Sequence, residues 1–297
     1  MSDNVIWGKY YVDPCSNEVF YHPLTAHLAD VAAVFEHIIS LPIMKKRMYK
    51  ILGRPLSLVE ENRLCVFAAI HDIGKVTRGF QNKKNPHLRP QHGHILPLSA
   101  LFEENFCEKF LSVFPWLSIW GSESYLLATF SHHGTYPYSF NEASDNLLQS
   151  CKMASLWDEY AFDKLQEIEG FLQKWDPIAF IHNDIPLPEN PPLTHLFAGI
   201  LQIADWLGSD SRFFPYCGLE GRPSIDKEDP IIFARKAARK ATNAIGLNLE
   251  NVKMHKKNLP SFEKEFGVPP YPIQELIDDI PLSEQGGLVI VEGETGT

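Results

Sequence analysis

The chain has few cysteines, no long apolar run, no internal repeat and a shortage of positive charge, and each lack excludes a class of protein. Its five cysteines (Cys15, Cys65, Cys107, Cys151, Cys217) are scattered and never spaced C-x-x-C. That pattern argues against a zinc ribbon or a disulfide framework and fits reduced thiols in a cytoplasm. No uninterrupted apolar stretch nears the ~20 residues a membrane-spanning helix needs. Met1-Ser2-Asp3-Asn4 offers neither the basic start nor the apolar core of a signal peptide, so the expected location is cytoplasmic, with no membrane partner. Lys and Arg total 27 against 37 Asp and Glu, a net charge of −10, which disfavours avid nucleic-acid binding by charge alone. Strand signals are scarce before Leu288-Val289-Ile290-Val291.

What is present is helix-forming sequence. At 297 residues, 44% hydrophobic and 22% charged, the chain can bury a sizeable core. Leu24 to Ser40 sets Leu28, Val31, Ala32, Phe35, Ile38 and Ile39 at a helical period. Ser57-Leu58-Val59-Glu60 is a capping-box signature, and the helix it opens runs through Cys65, Ala68 and Ala69 toward His71, with Gly74 as an end or kink signal. Further helices are expected around Leu98–Phe114, Glu123–His132, Ala154–Lys174 and Leu193–Trp206. Asp229-Pro230 starts another, running to about Asn243. The basic runs Lys45-Lys46-Arg47, Lys75 to Arg89 and Arg235 to Lys240 read as solvated surface. From Leu247 to Ser283 the chain is polar, proline-punctuated and linker-like. A first domain is therefore placed at residues 1–230, with 231–297 as connection and the start of a further unit.

His71-Asp72-Ile73-Gly74-Lys75 ends an apolar helix with an imidazole beside a carboxylate. The carboxylate can bridge two cations while the imidazole holds one of them. Other candidate ligands are His27, His92 and His94, the pair His132-His133, and Asp205. Wide spacing is expected when ligands converge on a bundle core from facing helices. Asp205 lies in the apolar Ala204-Asp205-Trp206-Leu207, where an unpaired buried carboxylate is costly and a metal would relieve the cost. His22, His37, His87, His182, His195 and His255 read as ordinary residues.

The order His, His-Asp, His, His-His, Asp resembles the HD superfamily of metal-dependent phosphohydrolases. The local texts HLADVA (27–32), HDIGKVTRGFQ (71–81), SHHG (131–134) and ADWLGSD (204–210) resemble the HD nuclease domain of the CRISPR-associated helicase–nuclease of type I systems. The resemblance covers about residues 20–215. It implies one divalent ion held by His27, His71, Asp72 and Asp205, and a second held by Asp72, a middle histidine, His132 and His133. The middle histidine is His94 or His92, with His94 preferred. It also implies that Asp72 bridges the ions and Lys75 faces the scissile phosphate. The implied activity is metal-assisted phosphodiester hydrolysis of single-stranded DNA, the strand displaced by a guide-RNA surveillance complex. Histidine-rich ligation suits Mn, Fe, Co or Ni better than Mg. An HD phosphohydrolase acting on nucleotides or cyclic nucleotides and a non-catalytic module recruiting protein partners are the competing readings.

The C-terminus carries a separate signal. Residues 291–297, with Gly293, Thr295 and Gly296, follow the β-branched run and begin a G-x-x-x-x-G-K-[ST] phosphate loop. Phe266 to Gln274 resembles the adenine-reading glutamine motif of superfamily 2 helicases, with Gln274 as the reader. The expected fold is thus mostly α: an HD-superfamily helical bundle, a linker, and the first strand of a truncated RecA-like helicase lobe. ATPase or helicase activity is not expected of this fragment, and ATP belongs to the full-length protein.

Overall fold

Leu24–Ser40 is apolar on nearly every face, and a helix of that composition belongs in the middle of a bundle. The computed structural model describes residues 5–121, 123–134, 152–181, 186–248, 260–278 and 280. In it Leu24–Ser40 is helix α1, buried from Leu24 to Phe35 except for a half-buried Thr25. Three helices pack around it: α3 (Leu58–Ala69), α7 (Pro191–Gly208) and α8 (Pro230–Ala244). Helices α2 (Pro42–Leu52), α4 (Glu104–Val113), α5 (Glu123–Phe130) and α6 (Glu159–Trp175) complete the bundle. Among the described residues no single helix is long and apolar enough to cross a membrane.

Several helix ends follow the local chemistry. Ser57 Oγ accepts from the Glu60 amide at 3.2 Å while Glu60 Oε2 accepts from the Ser57 amide at 2.7 Å, the reciprocal capping box. Asp229 caps α8 by accepting from the Ile231 amide at 2.9 Å, with Pro230 in the first turn. The helix expected over Leu98–Phe114 is split into a 3-10 turn (Leu96–Phe102) and α4, because Glu103 accepts from the Asn105 and Phe106 amides and starts a new helix there. Similarly Asp158, not Ala154, starts α6, accepting from the Ala161 amide at 3.0 Å.

One expectation is corrected, the scarcity of strand early in the chain. A hairpin, β1 (Trp7–Val12) paired antiparallel with β2 (Val19–Pro23), precedes α1. The register breaks between Trp7 and Lys9, which erases the clean alternation that marks a strand in sequence. Helix α2 forms over the basic run: Met44, Met48, Ile51 and Leu52 make its apolar stripe and pack on the core, and Lys45, Lys46 and Arg47 face solvent. The boundary near residue 230 falls at the start of α8, whose Ala234, Ala238 and Ala241 are fully buried and whose contacts are with α1. The helical unit therefore continues to Ala244.

Within the linker-like segment, Phe262–Phe266 and Pro272–Asp278 form short helices. Gln274 lies on the second, where its Oε1 accepts from the Tyr271 amide at 2.8 Å. The β-branched run at 288–291 and Gly293, Thr295 and Gly296 lie outside the described residues.

Candidate metal centre

Except for His94, which lies on a loop, the candidate ligand residues stand at or near helix ends, where backbone geometry can aim a side chain without a whole helix having to turn. His71 and Asp72 occupy the turn after α3, and the 3-10 turn Ile73–Val76 follows with Lys75. His132 and His133 occupy the turn after α5, closed by Gly134 at φ 81°. His27 comes from the first turns of α1, and Asp205 from the last turn of α7. A Cβ on Gly208 would lie 3.0 Å from Val31 Cα, so the missing side chain lets the end of α7 approach α1 and brings Asp205 near His71.

Asp72 is 3% exposed and sits at the centre. Its Oδ2 lies 2.9 Å from His27 Nε2, 3.3 Å from His71 Nε2 and 2.5 Å from Lys75 Nζ. Its Oδ1 lies 2.9 Å from His94 Nε2 and 3.6 Å from His132 Nε2. His94 Nε2 and His133 Nε2 are 3.1 Å apart, two nitrogens converging on one point. Two groups result, each with its ligand atoms within 4.8 Å of one another: His27, His71 and Asp72, and Asp72, His94, His132 and His133. Asp72 belongs to both. Asp205 stands just outside the first group, its Oδ1 3.6 Å from His71 Nε2 and accepting from Ser209 Oγ at 3.2 Å.

The donor set fits divalent ions. His71 Nδ1 donates to the Ala68 carbonyl at 3.0 Å and His132 Nδ1 to the Thr129 carbonyl at 2.8 Å. Those bonds fix the tautomer and turn each Nε2 lone pair inward. Both Nε2 atoms are buried with no hydrogen-bond partner in the protein, as is His27 Nδ1. An orphaned buried acceptor is costly unless something occupies it, and a cation beside the His71 Nε2, or beside the His132 Nε2, and the shared carboxylate would do so.

The family model described as the Cas3 HD domain matches residues 7–214. The chain belongs to the Cas3 HD-domain family. Comparison with curated protein sequences gives no match. Among solved structures, a CRISPR-associated protein aligns at TM-score 0.59 and 20% identity, over 93% of this chain and 31% of its own. The Thermus thermophilus Cas3 HD domain, crystallised with Ni2+, aligns at TM-score 0.50 and 20% identity, over 76% of this chain and 85% of its own. A CRISPR RNA-guided surveillance complex, pre-nicking, contains a chain that aligns at TM-score 0.53 and 16% identity, over 81% of this chain and 29% of its own. This chain thus spans about a third of the first protein's length.

In this HD domain the electrostatics keep the central carboxylate ionised and disfavour protonation of His27, His132 and His133. Burial raises the Asp72 carboxyl, but the Lys75 ammonium and the imidazoles outweigh it and hold it well below the usual carboxylate range. Burial pushes His132 down to about 4 and lowers His27 well below the ordinary imidazole value, with Lys75 and Lys9 adding to the latter. His133 is lowered for the same reason, burial first. His71 goes the other way: burial would lower it, but the Asp72 and Asp205 carboxylates outweigh burial and raise it.

Of the two middle histidines, His94 joins the ligand group. His92 serves the loop instead. A Cβ on Gly79 would meet the His92 ring at 2.1 Å, and one on Gly74 would meet the His94 carbonyl oxygen at 1.8 Å. Gly74 is therefore a seat for the His94 segment rather than the end of α3, which stops at Ala69. The His92 amide donates to the Gly79 carbonyl at 3.3 Å. Both glycines follow HD in the motif, and their spacing alone gives no sign of this contact.

Sequence reading missed Lys9. It lies on β1 opposite His22. Burial, and then the charge of Lys75, lower its ammonium to about 8, with Asp205, Asp30 and Asp72 opposing. It is thus a second cationic side chain at the ligand cluster. His22 is a hydrogen-bonded core residue, as read: Asp30 Oδ2 accepts from His22 Nε2 at 2.9 Å and from Arg222 Nη1 at 2.7 Å. This buried triad ties β2 and the segment around Arg222 to α1, one turn from His27.

Proposed function

We propose that this chain is the nuclease unit of a type I CRISPR interference system, cutting single-stranded DNA at a two-metal site. The observation that carries the reading is a single buried carboxylate, Asp72, shared between two histidine groups. In this reading one ion is held by His27, His71, Asp72 and Asp205, the other by Asp72, His94, His132 and His133. Bound divalent ions supply Lewis acidity toward phosphate oxygens and lower the pKa of water. Histidine-rich ligation favours Mn, Fe, Co or Ni, and the Ni2+ in the Thermus thermophilus domain is consistent with that choice.

The chain's own residues bind and orient. Lys75 exchanges its contact with Asp72 for a non-bridging phosphate oxygen, where its charge stabilises the negative charge that builds up in the transition state. Asp72 would hold both ions together with the surrounding imidazoles. Ala68 and Thr129 carbonyls hold His71 and His132 in the Nδ1–H tautomer. Hydrolysis forms one P–O bond from water and breaks the bond to the leaving sugar oxygen, which takes up a proton.

The substrate in this reading is the strand displaced by a guide-RNA surveillance complex, in the cytoplasm. Kinship with the chain in the pre-nicking complex supports that partner. Residues beyond Ala244 lead into a helicase lobe whose nucleotide site would use Gln274, Gly293, Thr295 and Gly296, with ATP bound in the full-length protein. The test is degradation of circular single-stranded DNA by the purified chain in Mn, Co, Ni, Fe, Mg or chelator, beside Asp72→Ala. Metal-dependent nicking that disappears in the variant is the expected result. Hydrolysis of nucleotides or cyclic nucleotides but not of circular DNA would overturn it.

A further inference from the structure

The metal centre adjoins a cleft between α5 and α7. Its inner hollow, about 380 Å³, is lined by His132 of the ligand group together with Ser131 and Gln202. An outer hollow of about 650 Å³ shares Ser124, Leu127, Thr194 and His195 with it. Among the described residues neither lining contains Lys or Arg, and Glu123 and Glu189 border the outer hollow. A phosphate backbone would be repelled there. What the walls offer is hydroxyl, amide and imidazole groups beside the apolar Leu127 and Ala128, which is the chemistry of a nucleobase: apolar faces and polar edges. Ser131 Oγ is buried and has no hydrogen-bond partner in the protein, a polar atom with nothing yet to bond.

The α7 wall has a helical period. His195, Ala198, Gly199 and Gln202 fall on one stripe, and Trp206 is the next residue along it, four beyond Gln202. Trp206 is 67% exposed, the most exposed large apolar side chain among the described residues, whereas the other five tryptophans are buried. It directly follows Asp205. A lone exposed indole beside a hydrolytic centre, in line with a cleft of base-like chemistry, is what single-strand binding uses as a stacking platform.

We propose that this cleft is a nucleobase subsite: a base next to the scissile phosphate enters between α5 and α7, its edge toward Ser131 and Gln202, and a neighbouring base stacks on Trp206. The inference rests on the single-strand reading above and adds how the strand is gripped by a chain of net charge −10. His195, an ordinary residue by sequence, becomes part of the wall.

The test is equilibrium binding of the Ni2+-loaded chain to a phosphorothioate-linked octathymidylate and to the same strand made of abasic sugars, which keeps the charge and removes the bases. Wild type prefers the strand with bases by about tenfold or more. Trp206→Ala and Ala198→Trp, which fills the inner hollow, each shrink that ratio toward one, while Trp206→Phe retains most of it. Bound nickel, measured alongside, stays at the wild-type level. A ratio near one in wild type, or a ratio unmoved by both Trp206→Ala and Ala198→Trp, overturns the subsite, and the exposed indole is then a seat for a protein partner. Base preference in a chain that cuts no circular DNA in any metal would sink the nuclease reading and leave the subsite standing. Cutting without base preference does the reverse.

Discussion

The two ligand groups around Asp72 differ in how they are built. His27 and His71 are at most 1% exposed, one on the central helix α1 and the other in the turn that ends α3. His94 and His133 are half-buried and exposed, carried on a loop and on a turn. The first group is held by the core of the bundle, and the second by local contacts: the seat on Gly74 and the turn at Gly134. A rigid position retains its ion, whereas a more open one leaves room for substrate oxygen. The contrast teaches that an unequal pair of positions can share one carboxylate.

The largest effect is expected from removing what the two groups share. Asp72→Ala should empty both positions and reduce hydrolysis to background, read by metal analysis and nuclease assay together. Next, His71→Ala should empty the first position and also destabilise the fold, because it leaves an unfilled space at a fully buried site; thermal melting should fall by several degrees. Gly74→Ala should act mainly on the second position. Its Cβ meets the His94 carbonyl, so the loop must shift and second-ion affinity should drop roughly 10–100-fold with the first ion kept. Retention of both affinities would mean that His94 is not a ligand.

The smallest expected effect lies away from the centre. Burial, with some help from Glu36, raises the Asp176 carboxyl from its ordinary 3.8 to about 6. The folded state then binds a proton more tightly than the unfolded chain. The cost to stability is absent at low pH, grows as pH rises from about 4, and is complete above about 6. Asp176→Asn, which can still accept from the Ala179 amide, should stabilise the protein by about 1 kcal/mol at pH 7–8 and by nothing below pH 4. Denaturant melts at both pH values read it. Equal gains at both would point to packing, not to charge.

Much of this was legible in the sequence because the relevant signals are local. The apolar run of α1, the Ser57–Glu60 box and the Asp229-Pro230 start each act within one or two turns. The residues His27, His71, Asp72, His132 and His133, which the fold brings into two clusters, were marked as candidates by residue type and by their company. What stayed hidden depends on distant contacts. The choice between His92 and His94 turns on which glycine each packs over, Gly79 or Gly74. Lys9, on a strand whose register breaks beside it, feels the charges of Lys75, Asp205 and Asp72 from across the fold. The approach of Asp205 to the first position, its Oδ1 3.6 Å from His71 Nε2, likewise depends on how α7 packs against α1.

The central claim is that one carboxylate serves two cation positions of unequal strength. Titration of the metal-free chain with Ni2+, followed by calorimetry and metal analysis, tests it most directly. The account predicts about two ions per wild-type chain, a tighter and a weaker one, and none in Asp72→Ala. A single ion in wild type, or an Asp72→Ala chain that still binds an ion tightly, would contradict it.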